Sequence, residues 1–150
     1  MDNTGHLLTQ IGRVSDAVKA EFDLIGTRMT WLVVSQSFMF ATFATAAANA
    51  GTRTGPYLPV LKYLVVATPL LGFAVAAFVA LAIKTAHAVA IDMKDQRDAL
   101  ILQLPEALQI RLVSSRDYAH SRGNLPATWV PWFLAAFWVG AIVELPFPPW

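Results

Sequence analysis

The sequence predicts an all-α protein that crosses a membrane with three helices. Three observations support this prediction: few charged residues, many apolar ones, and long stretches that carry no charge. Apolar types make up 56% of the 150 residues, and Asp, Glu, Lys and Arg make up only 14%, whereas soluble domains contain about 25% charged residues. A helix needs about 20 mostly apolar residues to span a bilayer. We therefore expect a single membrane domain over residues 1–150.

Three segments have the length and composition of membrane spans. The first span covers residues 31–50 and the second covers residues 63–83, and neither contains a charged residue. The third span, residues 125–145, is weaker because its strictly apolar part begins only at Trp129. The alternative is a soluble bundle with buried helices. Two uncharged stretches of this length in so short a chain argue against it.

Residues 6–30 are predicted to form an amphipathic cytoplasmic helix that continues into the first span. Apolar residues recur there at every third or fourth position, which places them on one face of a helix. This stripe consists of Ile11, Val14, Val18, Phe22, Ile25, Met29 and Leu32. Six charged residues mostly lie off the stripe. Their presence also argues against a cleaved signal peptide.

The second span is predicted to continue in the same way through residues 84–104, until Pro105 ends the helix. Its stripe consists of Ala86, Ala90, Met93, Arg97, Leu100 and Leu104. The two extensions have similar lengths, and each carries an apolar stripe. This similarity predicts a long antiparallel hairpin that reaches into the cytoplasm as a stalk. The alternative is that each extension lies flat on the inner leaflet. The mixed charges of the polar faces favour the stalk.

Three connecting segments complete the organisation. The glycines and proline of residues 51–56 are typical of a turn. Residues 106–113 have the pattern of a short interfacial helix, and the polar residues 114–124 are typical of a loop. Pro69 predicts a kink inside the second span.

The distribution of Lys and Arg predicts the orientation of the three spans. The N-terminal segment and the segment between the second and third spans lie on one side of the membrane, and together they hold nine of the 11 basic residues. Such an excess marks the cytoplasmic side. We therefore expect a cytoplasmic N-terminus and an external C-terminus, in the inner (plasma) membrane of a bacterium.

Small residues at four-residue spacing are predicted to mark helix-packing surfaces, because they let two backbones approach closely in lipid. They are Thr68, Gly72, Ala76 and Ala80 in the second span and Ala136 and Gly140 in the third. Packing within one chain and a seam between copies of the chain are both compatible with this pattern.

Polar residues form an arc on the first span. They are Ser35, Thr42, Thr45 and Asn49, and at 100° per residue they fall within about 80° of one another. Such an arc bonds to a neighbouring helix, bonds back to its own backbone, or lines a pore. All three interpretations are open at this point.

Few residues suggest a chemical site. Glu144 lies at the end of a span and His87 just inside the cytoplasmic end of another, and both are candidate ionisable sites. The three His are widely separated and Cys is absent, so we expect no metal site. No phosphate-binding glycine motif occurs, and we expect no cofactor. A net charge of +1 argues against a nucleic-acid partner.

These observations predict a membrane protein that is not an enzyme. We expect it to act by assembly in the lipid bilayer, as a homo-oligomer or as a small subunit of a membrane complex. The alternative is a self-assembling pore, of the holin or toxic-effector kind, lined by the polar arc of the first span. A small transporter or redox subunit ranks last, because the spans lack paired acids and paired histidine ligands.

Overall fold

The computed structural model describes residues 3–50, 56–113 and 125–144, and every regular element in these ranges is an α-helix. Helix α1 is Asn3–Ala50, α2 is Leu58–Ile101, α3 is Glu106–Val113 and α4 is Leu125–Glu144. The predicted all-α class is therefore confirmed. Most of the predicted turn (residues 51–55), the predicted loop (residues 114–124) and the last residue of the third span, residue 145, lie outside the described residues.

Three of the described helices, α1, α2 and α4, are long and apolar enough to cross a membrane. Helix α1 has 48 residues and α2 has 44. At 1.5 Å per residue, each is about 70 Å long, roughly twice the thickness of the hydrocarbon core of a bilayer. Each of these two helices therefore combines an apolar part of membrane-spanning length with a long, more polar part. Helix α4 has 20 residues, which is close to the length of one span.

Helices α1 and α2 contact each other in antiparallel order. Three buried clusters join Ile11 to Ile101 and Leu104, Ile25 to Ile83 and Ala86, and Leu32 to Ala76. Residue numbers rise along α1 as they fall along α2. The residues that α1 contributes to these clusters all belong to its apolar stripe, and burial of such a stripe is the main source of stability for an amphipathic helix.

Helix α4 runs in the same direction as α1. Its Ala127 packs against the cluster of Ile25, and its Ala135 lies in the cluster of Leu32. It contacts α2 more extensively than α1. The three long helices thus alternate in direction along the chain.

Helix α2 ends in a tight turn before Pro105. The amide of Leu104 donates to the carbonyl of Ile101 at 3.0 Å, and the side-chain amide of Gln109, on α3, donates to the carbonyl of Leu102 at 3.0 Å. The last carbonyls of a helix have no partner within it. Gln109 therefore helps to complete the end of α2 and holds α3 against it.

Candidate functional site

Gln36 joins all three long helices. Its side chain is only 1% exposed. The side-chain Nε2 donates a hydrogen bond to the backbone carbonyl of Gly72, on α2, at 3.1 Å. The side-chain oxygen accepts a hydrogen bond from the indole Nε1 of Trp138, on α4. We call these three residues the three-helix node. A polar side chain without partners is costly to bury, and here both ends of the amide have a partner.

The backbone at Gly72 lets the indole of Trp138 approach. A Cβ atom at this position would lie only 2.8 Å from Cδ2 of the indole, and other ring atoms would be nearer still. Real Cβ contacts are essentially never that short, so only glycine fits here without displacing the ring. Trp138 itself is fully buried. Close approach of α4 to α2 thus depends on the missing side chain of one residue.

Aromatic rings of α1 and α4 surround the indole of Trp138. The ring of Phe40 stacks on it, with centroids 4.7 Å apart and an angle of 14° between the planes. Phe43 and Phe137 meet it edge-on, at 5.8 Å and 5.5 Å. Each such pair contributes about 0.5–1.5 kcal/mol beyond the burial of its area. These rings therefore hold α1 against α4 on the side where the polar bonds of Gln36 are made.

The structure separates the two predicted groups of helix-packing residues. Thr68, Gly72, Ala76 and Ala80 are all buried within the chain, where Ala76 lies in a cluster with Leu32 of α1 and Ala135 of α4. Ala136 and Gly140 instead face outward, and a Cβ atom built on Gly140 has no other atom within 4 Å. A seam between copies of the chain stays a prediction. Of the six predicted packing residues, only Ala136 and Gly140 are exposed and able to take part in it.

The polar arc of α1 bonds to its own helix. The hydroxyl of Ser35 donates to the carbonyl of Leu32 at 2.9 Å and that of Thr42 to the carbonyl of Phe38 at 2.9 Å. The side-chain amide of Asn49 donates to the carbonyl of Thr45 at 2.7 Å. Thr42 and Thr45 are exposed on the outside of the three-helix unit. These local bonds satisfy the side-chain donors of Ser35, Thr42 and Asn49 without a neighbouring helix.

The two candidate ionisable residues lie far apart. His87 is half-buried, next to Ala86 in the cluster of Ile25. This cluster contacts α4 at Ala127, near the N-terminal end of that helix. Glu144 is exposed at the C-terminal end of α4. Among the residues that the structure describes, no group of three His, Cys, Asp or Glu side chains could hold a metal ion. Neither residue therefore belongs to a metal-binding group within the described part of the chain.

The sequence predicted Gly72 as a packing residue but did not indicate Gln36 or Trp138, the other two residues of the three-helix node. Gln36 follows Leu32 by four residues, so it lies on the same face of α1 as the apolar stripe. This spacing is the one feature of the sequence that indicates its burial. A second missed contact is the guanidinium of Arg28, which donates to the carbonyl of Ala82 at 3.2 Å. No spacing within α4 distinguishes Trp138 from the other tryptophans.

The chain matches no protein-family model, no curated protein and no solved structure.

Proposed function

We propose that this protein acts without catalysis, by assembling in the membrane with copies of itself or as a small subunit of a larger membrane complex. The outward face of α4 carries the proposal. Ala136 and Gly140 lie one turn apart on it, both exposed, and nothing in the described chain occupies the space above Gly140. Small residues at this spacing allow close contact between helices in lipid. The corresponding residues of α2 are already covered by the chain's own helices.

The proposed arrangement places the protein in the inner membrane of a bacterium, with a cytoplasmic N-terminus. The first two helices form a long antiparallel hairpin, and residues 6–30 and 84–104 stand in the cytoplasm as a stalk with a coiled-coil-like seam. The cluster of Ile11, Ile101 and Leu104 supports the stalk, because extensions that lay flat on the leaflet would not bury these side chains against each other. The excess of basic residues in the same segments supports the orientation.

The mass of the protein in lipid nanodiscs tests assembly. We expect a mass above that of one 16.4 kDa chain for the natural sequence. Ala136→Leu should shift it toward the monomer, because the added side chain keeps neighbouring backbones apart. The matched control is Ala74→Leu, since Ala74 is an exposed alanine on α2. A natural protein that is monomeric in nanodiscs, and that crosslinks to nothing in native membranes, would contradict the proposal.

A self-assembling pore is a second proposal, favoured by the exposure of Thr42 and Thr45 on α1. Assembly around α1 would turn these hydroxyls toward a shared centre, where water could replace lipid. Conductance across planar bilayers tests this proposal. The combined replacement of Thr42, Thr45 and Asn49 by Leu should abolish the current. An unchanged current would exclude a pore lined by these residues.

A further inference from the structure

A groove between α1 and α4 overlaps the face proposed for assembly at Gly140. It has a volume of about 480 Å³ and is lined by Phe43, Phe137, Gly140, Ala141 and Glu144. Four of these five residues are apolar. The missing side chain of Gly140 leaves the floor open, since no atom lies within 4 Å of where its Cβ would be.

The walls of the groove are held in place by the aromatic rings around the three-helix node. Phe43 meets the indole of Trp138 edge-on, and Phe137 packs edge-on against Phe40 with centroids 4.9 Å apart. Both walls thus contact rings that the node positions. A groove that exists before its ligand arrives avoids the ordering cost that binding otherwise incurs.

Among the residues that the structure describes, the charged residue that lines the groove is acidic. Glu144 lies there, at the C-terminus of α4. The backbone of a helix carries about half a negative charge at this end, and the last turn of α4 contains no basic residue. The carboxylate and the helix end therefore attract the same kind of group, a cation at the edge of the membrane.

An apolar floor and a negative rim fit one class of ligand. We propose that the groove binds a phospholipid whose headgroup carries an ammonium, with an acyl chain against Gly140 and Phe137 and the ammonium beside Glu144. The proposal rests on the proposed placement of α4 across the membrane, and it does not require assembly. It identifies a lipid site that shares Gly140 with the face proposed for assembly and differs from that face in using Phe43, Ala141 and Glu144.

Native mass spectrometry of the purified full chain tests the lipid site. The protein is taken from nanodiscs that contain equal amounts of phosphatidylethanolamine and phosphatidylglycerol with identical acyl chains. We expect the natural protein to retain phosphatidylethanolamine. Ala141→Leu, which fills the groove, and Glu144→Gln, which removes the charge, should each lose it. The matched controls are Ala74→Leu and Glu106→Gln, and both should keep the lipid.

Each other outcome contradicts the site. Equal retention of both lipids would show that the rim does not select an ammonium group. Retention that persists in both groove variants would place the lipid elsewhere. A dimer without bound lipid, in which Ala141→Leu restores the monomer, would mean that a second copy fills the groove. Extraction of the chain from membranes by alkaline carbonate would instead contradict the membrane placement itself, which separates that failure from failure of the lipid site.

Discussion

The amide of Gln36 occupies a position that the pattern around it would assign to an apolar side chain. It lies four residues after Leu32 on the buried stripe of α1, in a helix that is long and apolar enough to cross a membrane. Its two hydrogen bonds reach two different helices. Interhelical hydrogen bonds in membranes contribute about 0.6–2 kcal/mol each. One side chain therefore adds both stability and a defined register to three helices.

We predict that Gln36→Leu lowers the free energy of unfolding by about 1–2 kcal/mol, because the N–H of Trp138 is left buried without its partner. Unfolding in mixed detergent and dodecyl sulfate micelles, followed by circular dichroism, measures the change. Thr42→Val is the control, since the hydroxyl of Thr42 bonds only within its own helix and its loss should cost less than about 0.5 kcal/mol. Equal effects of the two variants would argue against a special role of the node.

Helix α4 is the element whose position depends most on its neighbours. It has only 20 residues and contains Pro131, which removes one helical hydrogen bond. Its contacts with α2 depend on the close packing of the Trp138 indole against the backbone of Gly72. The glycine at position 140 has no such neighbour. Two glycines in helices apolar enough to cross a membrane thus differ in what they do for the packing of α4.

This difference predicts the effects of two matched substitutions. Gly72→Ala should destabilise the protein by about 1–3 kcal/mol, because the added Cβ collides with the indole and forces α4 away from α2. Gly140→Ala should keep stability at the natural value or raise it by up to about 1 kcal/mol, because the added Cβ meets no other atom and alanine favours a helix more than glycine does. Thermal unfolding of both variants in the same detergent measures the comparison. Destabilisation by Gly140→Ala alone would contradict the packing described for α4.

The whole molecule has three long helices that alternate in direction. Helix α1 is antiparallel to α2, and α4 is parallel to α1, as the clusters of Ile25 and Leu32 show. A chain that crosses a bilayer three times in succession needs this alternation. This alternation and the excess of basic residues near the start of α1 and after the apolar part of α2 are both compatible with the proposed cytoplasmic N-terminus.

Labelling of single cysteines tests the orientation, and the natural absence of Cys leaves no background. Tyr57, which is 74% exposed before α2, should react as Tyr57→Cys with a membrane-impermeant thiol reagent in intact cells. Ala20→Cys, at an exposed position of α1, should react only after permeabilisation. The reverse pattern would invert the orientation. Reaction of both in intact cells would show that α1 does not cross the membrane between them.

The predictions that succeeded concern properties of single segments. Hydropathy and length indicated three helices able to cross a membrane, and the structure contains them. The spacing of Ile11, Ile25 and Leu32 indicated which face of the first helix is apolar, and these three residues are buried. Both kinds of information lie within a few turns of one helix, so no knowledge of the neighbouring helices was needed.

The tertiary structure alone decided what each polar or small residue does. Gln36 and Trp138 are 102 positions apart in the sequence. Their hydrogen bond forms only because α4 packs closely against α2 at Gly72. The same four-residue pattern of small residues leads to a buried position for Gly72 and an open one for Gly140. Composition and periodicity describe which face of a helix avoids water. Which helix covers that face depends on how the surfaces fit one another, and this fit arises only when distant parts of the chain meet.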